Sequence, residues 1–158
     1  MNIRKANYDK YPSTKMSGML VQGWDAIISV LKKQMDARKV LAVDLYTGVY
    51  EEEVLDAFSK EFSRKAMNVR DLMKPEQEIQ TLTERFMTED VLFGYVTNLK
   101  LEDYFDADKL AAAQKQISEA EDTIVIIGTG AAMVAPQDAM IVYADMACLL
   151  YTSDAADD

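Results

Sequence analysis

Lys39-Val40-Leu41-Ala42-Val43-Asp44-Leu45-Tyr46-Thr47-Gly48-Val49-Tyr50-Glu51-Glu52-Glu53-Val54 decides the fold class. A valine-rich apolar run, residues 40–45, contains an aspartate at its carboxyl end. Unbroken apolar runs of this length suit a strand buried on both faces of a parallel sheet. A short turn with one glycine follows, and then a helix over residues 51–63 whose first turn is acidic. Val54, Leu55, Phe58 and Phe62 fall at helical spacing and form its inward stripe. Strand, loop and helix in this order are the unit of nucleotide- and phosphate-binding α/β domains. In open sheets of that kind, ligands bind just beyond the carboxyl ends of the strands.

On the amino-terminal side, a helix is expected from about Trp24. Trp24, Ile27, Ile28, Leu31 and Met35 recur at intervals of three and four, leaving Lys32, Lys33 and Asp36 outside the stripe. Trp24 reads as a core anchor. Residues 19–21 suit a short edge strand. Before them, Tyr8, Tyr11 and Pro12 mark an extended or turn segment able to lie flat on a domain surface.

On the carboxyl-terminal side, a second strand is expected over residues 66–72. A helix opened by Pro75 runs to about residue 87, with Ile79, Leu82 and Phe86 on its apolar side. Residues 91–95 are a short apolar segment broken by Gly94, and residues 101–105 form a turn. Asp106 is placed to cap a helix over residues 107–120. Asp122-Thr123-Ile124-Val125-Ile126-Ile127-Gly128-Thr129-Gly130-Ala131-Ala132 is the strongest strand signal, its β-branched residues running into a Gly-Thr-Gly turn. Residues 140–143 give a further strand, ending at Asp145. The alternation predicts an α/β domain with a mostly parallel sheet and helices on both faces.

Composition narrows the chemistry. The 158 residues include 17 basic and 27 acidic ones, a net charge of −10, with no cluster of bases. That balance argues against nucleic acid and anionic membranes as partners. The chain has no histidine, which removes the commonest general base and metal ligand and any serine–histidine or cysteine–histidine nucleophile system. Cys148 is the single cysteine, so no intrachain disulfide or thiolate metal cluster forms. No apolar run approaches a membrane span, and the N-terminus lacks the apolar core of a signal peptide. The expected compartment is the cytoplasm.

Tyr46-Thr47-Gly48-Val49 occupies the place of a phosphate-binding loop but has one glycine and no lysine. Without the lysine there is no fixed charge for β- and γ-phosphates. Three glutamates behind it each gain about 0.3–1 kcal/mol from the helix dipole, and they compete with an anionic ligand there. Asp44 can act as a metal-binding carboxylate or as a capping group, and no second carboxylate is visibly paired with it. Gly128 and Gly130 suit a tight turn with close strand packing or the close approach of a ligand. The ligand-binding candidates are therefore Asp44, Tyr46, Thr47, Gly48, Gly128 and Gly130. No residue is assigned a catalytic or metal-binding role.

Asn7-Tyr8-Asp9-Lys10-Tyr11-Pro12, Gly23-Trp24, Asp44-Leu45-Tyr46-Thr47-Gly48-Val49 with Glu51-Glu52-Glu53-Val54, Phe93-Gly94-Tyr95, Gly128-Thr129-Gly130-Ala131-Ala132 and Val142-Tyr143-Ala144-Asp145-Met146-Ala147 together carry a family resemblance. As a set they resemble the N-terminal region of Bacteroides-type class I mannose-6-phosphate isomerase-like proteins. The resemblance implies a P-loop kinase-like domain of the uridine-kinase type, truncated here, whose phosphate loop has lost its lysine. It also implies that a zinc-binding cupin portion, converting mannose 6-phosphate and fructose 6-phosphate, follows in the complete protein as this region's partner. No cofactor is implied for residues 1–147 themselves. A non-catalytic or regulatory role is expected, with a small phosphorylated molecule as a possible ligand. The alternatives are a nucleotide-dependent small-molecule kinase with an atypical loop and a purely structural or oligomerising module.

Cys148-Leu149-Leu150-Tyr151-Thr152-Ser153-Asp154-Ala155-Ala156-Asp157-Asp158 resembles the translated sequence of a transposase adapter used in sequencing libraries. Residues 148–158 are therefore excluded from fold reasoning, and the α/β domain is expected over residues 1–147.

Overall fold

The computed structural model describes residues 14, 15, 17–62, 66–90 and 93–146. The expected tail at 148–158 and the Tyr8–Pro12 segment lie outside these. Helix α1 (Trp24–Met35) leads into strand β1 (Val40–Leu45), followed by helix α2 (Glu51–Glu61) and strand β2 (Ala66–Asn68). Helices α3 (Glu76–Glu84) and α4 (Ala107–Ser118) come next, then strand β3 (Ile124–Gly128), the one-turn helix α5 (Ala131–Val134) and strand β4 (Met140–Ala144). The sheet order is β2-β3-β1-β4 and every pairing is parallel.

The two central strands explain the burial. Val40 lies opposite Ile124 and Asp44 opposite Gly128. Ile124 is 3% exposed and the next three residues of β3 are completely buried. Side chains alternate across this pair, so each strand feeds two cores. On one face Leu41, Val43, Leu45, Val125 and Ile127 meet Leu31 and Met35 of α1 and Val54 and Phe58 of α2. On the other, Val40, Ala42, Ile124 and Ile126 meet Ala113 and Ile117 of α4 and Ala131 and Val134 of α5. Helices thus cover both faces of a parallel α/β sheet, as the apolar runs required.

Several local expectations change. Residues 66–72 are not one strand: β2 stops at Asn68 and a 3-10 turn, Val69–Leu72, follows. The Asn68 side chain accepts a hydrogen bond from the Arg70 N–H at 2.8 Å, which bends the chain and drives Val69 into the core. There is no strand at residues 19–21, where Leu20 is 96% exposed. Helix α3 ends at Glu84, short of residue 87, because its last turn tightens: Phe86 N–H donates to the Thr83 carbonyl and Met87 N–H to that of Glu84. Residues 101–104 form a 3-10 turn within the expected turn at 101–105. Helix α5 was absent from the sequence reading. It is too short for periodicity to register, and its alanines read as the end of a strand.

Residues 75–100 make an excursion whose helix, α3, buries no residue. The chain leaves and re-enters through a clamp. Lys74 N–H donates to the Tyr104 carbonyl, Asp106 N–H donates to the Leu72 carbonyl, and Met73 pairs with Phe105 in an antiparallel bridge. Asp106 then caps α4 by accepting from Asp108 and Lys109 N–H at 3.0 Å each, as its position predicted. No helix among the described residues is long and apolar enough to cross a membrane.

Trp24 is half-buried and packs on the core formed by α1, α2 and the sheet, in keeping with its reading as an anchor. Its ring meets Phe58 edge-on at 6.0 Å, and Phe58 in turn stacks on Phe62 at 5.7 Å. Phe58, 2% exposed, is thus the contact between α1, α2 and the sheet. Phe58→Ala is expected to destabilise the domain by about 3–5 kcal/mol, the usual cost of emptying a buried aromatic site. Urea denaturation followed by Trp24 fluorescence measures it, and a loss below about 1 kcal/mol would contradict this role for Phe58.

Candidate functional site

All four strands point their carboxyl ends the same way, so the segments leaving them meet at one edge of the sheet. β1 is interior, with β3 and β4 as neighbours. Its outgoing chain crosses toward β2 while that of β3 crosses back to β4. Such a reversal is where an open α/β sheet makes room for a ligand.

The structure brings Asp44, Gly128 and Gly130 together. Asp44 Oδ1 accepts a hydrogen bond from Gly130 N–H and Oδ2 accepts one from Ala132 N–H, each at 3.0 Å. Both oxygens of the carboxylate therefore bind the start of α5, as a cap supplied by the neighbouring strand. Thr129 Oγ1 adds a bond to the Leu45 carbonyl at 3.0 Å. Of the two roles open to Asp44 in the sequence, capping is the one the geometry realises.

The glycines serve close packing. Gly128 has φ 137°, and a Cβ on it would lie 2.8 Å from the Val69 Cβ. Gly130 has φ 91°, and its Cβ would press on Leu101 and Phe105 at 3.2 Å. Side chains of the protein thus already fill the space a ligand would need beside this turn.

Tyr46, Thr47 and Gly48 belong to a separate turn, tied to β4 through Tyr46. Tyr46 N–H donates to the Ala144 carbonyl at 2.9 Å, and Val49 N–H closes the turn on the Tyr46 carbonyl at 3.2 Å. Gly48, at φ 99°, occupies the third position of this turn, where a type II geometry demands a left-handed residue. A Cβ there would come within 2.9 Å of Met146 Cε. The loop is a four-residue turn closed on itself by the Val49 N–H, with the Tyr46 N–H spent on β4.

The acids behind it are tethers. Glu51 accepts from Asn68 Nδ2 at 2.8 Å and pairs with the Arg70 guanidinium at 3.1 Å. Glu53 accepts from Trp24 Nε1 at 3.0 Å. The first turn of α2 is thereby tied to the end of β2 on one side and to α1 on the other. Beside it opens a cleft of about 450 Å³, lined by Val49, Tyr50, Glu51, Glu52, Leu55, Asn68 and Arg70. Asn68 and Arg70 were missed in the sequence because the strand expected there hid the turn that aims them at α2. The spacing Asn-x-Arg before an aspartate was the available signal for that turn. Among the described residues, no group of three or more acids or cysteines is arranged to hold a metal ion.

The family described as a domain of unknown function (DUF8485) matches residues 23–149, and the chain belongs to that family. No curated protein and no solved structure matches it.

Asp44→Ala is expected to cost about 2–3 kcal/mol of stability, since two bonds to a charged acceptor are lost together. Asp44→Asn keeps one acceptor and is expected to cost about half as much. Chemical denaturation of the two variants measures both, and equal stability of all three proteins would contradict the capping role.

Proposed function

We propose that this chain is an α/β domain from the N-terminal region of a mannose-6-phosphate isomerase-like sugar-phosphate enzyme, with a non-catalytic or regulatory role there. The motif set from Asn7 to Ala147 supports the attachment. One observation carries the non-catalytic role: the Asp44 carboxylate, at the place where a phosphate-binding domain keeps its ligand, spends both oxygens on Gly130 and Ala132 of its own chain. The self-closed turn at Tyr46–Val49 agrees with this, as does the absence of lysine from it. On this proposal the loop descends from the phosphate loop of a P-loop kinase-like ancestor. Zinc and the isomerase chemistry belong to a separate cupin portion, where histidines absent from this chain are available.

The cleft beside α2 supports a second, weaker reading, a site for a small phosphorylated molecule. Arg70 supplies a cation at its wall, but Glu51 already pairs with it and Glu52 stands next to it. Both carboxylates work against an anion.

Titration with ATP, GTP, mannose 6-phosphate and fructose 6-phosphate, with and without magnesium, tests the proposal. No magnesium-dependent nucleotide binding and no phosphoryl transfer are expected; tight nucleotide binding with transfer would overturn it in favour of a kinase. The gene sequence beyond the codon for Ala147 tests the attachment. Histidine-bearing cupin sequence is expected after Ala147, and an unrelated domain there would contradict it.

A further inference from the structure

A cavity of about 460 Å³ opens between β2, the turn after it and helix α4. That volume is in the range of small-molecule sites. The cavity lies on the α4 face of the sheet, away from the cleft beside α2. Helix α4 turns Lys109, Ala112, Ala113 and Gln116 toward it, one face at helical spacing. The two alanines leave room that longer side chains would fill. The floor is the core itself, with Leu72, Ala113 and Ile124 all buried. Met67 adds a flexible thioether that adapts to an apolar guest.

Two opposite charges share one end of this cavity. Lys109 stands in the first turn of α4, and its Nζ donates to the Met73 carbonyl at 3.3 Å, two residues along the chain from Asp71. Asp71 and Lys109 both line the cavity, and both are exposed at its mouth. Among the described residues neither belongs to an ion pair. Gln116 marks the other end, about 10 Å further along α4 at the helical rise per residue. The Asn68 side chain, also in the lining, is already engaged: its Nδ2 donates to Glu51 and its Oδ1 accepts from Arg70 N–H.

We infer that this cavity binds a hydrophobic α-amino acid. Lys109 keeps donors beyond the one on Met73 and meets the carboxylate, while the Asp71 carboxylate meets the ammonium group. The side chain then runs over Met67 and Leu72 toward Gln116 and Ile124. Charge complementarity selects the zwitterion. An anion alone is repelled by Asp71 and a cation alone by Lys109, whereas a ligand carrying both charges satisfies both. Burial of the apolar side chain supplies most of the affinity, and the exposed charges supply selectivity. The inference goes beyond the isomerase attachment and does not rest on it.

Amide NMR spectra of the intact chain, titrated with L-phenylalanine and L-leucine at millimolar concentration, test it. Saturable shifts are expected with one or both at Met67, Asp71, Leu72, Ala112 and Ala113. Hydrocinnamate lacks the ammonium group, phenylalaninamide lacks the carboxylate and glycine lacks the side chain. Each is expected to bind at least about tenfold more weakly than L-phenylalanine. Lys109→Met is expected to weaken L-phenylalanine at least about tenfold and to leave phenylalaninamide unchanged, a split that loss of folding would not produce. Ala112→Phe, at an exposed position, fills the cavity and is expected to abolish the shifts; full affinity in this variant would overturn the inference. So would the lack of a saturable shift with both amino acids, or shifts confined to residues outside the cavity. Binding of N-acetylphenylalaninamide as tight as that of L-phenylalanine would also overturn it, by assigning the groove to an uncharged or peptide ligand.

Discussion

The carboxylate of Asp44 holds the carboxyl edge of this sheet together. It sits at the end of β1, and its two oxygens reach across β3 to the amides of Gly130 and Ala132. A one-turn helix such as α5 cannot hold itself in water, because nucleation is unfavourable and so few bonds repay it. Asp44 supplies the bonds its own sequence lacks. Once α5 is held, Ala131 and Val134 cover one face of the central strands, and the chain is aimed back over β1 toward β4. The order β2-β3-β1-β4 thus depends on a charged contact at the position where related architectures place ligands.

The first turn of α2 shows the same use of charge. Three consecutive glutamates there would repel one another if left in water. Two are assigned elsewhere, Glu51 to Asn68 and Arg70 and Glu53 to Trp24. The Arg70 guanidinium is largely exposed, so its ion pair adds little stability by itself. Its effect is positional, since it fixes where the turn after β2 lies against α2. Together with the packing of Val69 under Gly128, these contacts consume the edge's polar and steric resources in holding the fold.

How much of this could be read from the chain alone depended on range. The buried strands β1 and β3 announced themselves because burial on both faces demands unbroken apolar runs. Helices α1 and α2 did so through their stripes, and α4 through its cap at Asp106. The break after Asn68 was hidden, since a side-chain bond to Arg70 N–H leaves no periodic trace. Helix α5 was hidden because its stability comes from a residue 86 positions earlier. The same distance explains the site. Asp44, Gly128 and Gly130 were each visible as candidates, but only the fold joins them, and in joining them it gives the carboxylate partners within the chain. The turn of Tyr46, Thr47 and Gly48, close to Asp44 in sequence, is tied instead to β4 through the Tyr46 N–H.

The central claim is that Asp44 is engaged by its own backbone. Scalar couplings across hydrogen bonds, measured by NMR between the amide nitrogens of Gly130 and Ala132 and the side-chain carboxyl carbon of Asp44, test it most directly. Detectable coupling at both amides is expected in the unliganded chain. Absence of both couplings, with the two amides exchanging as freely as an open loop, would contradict it.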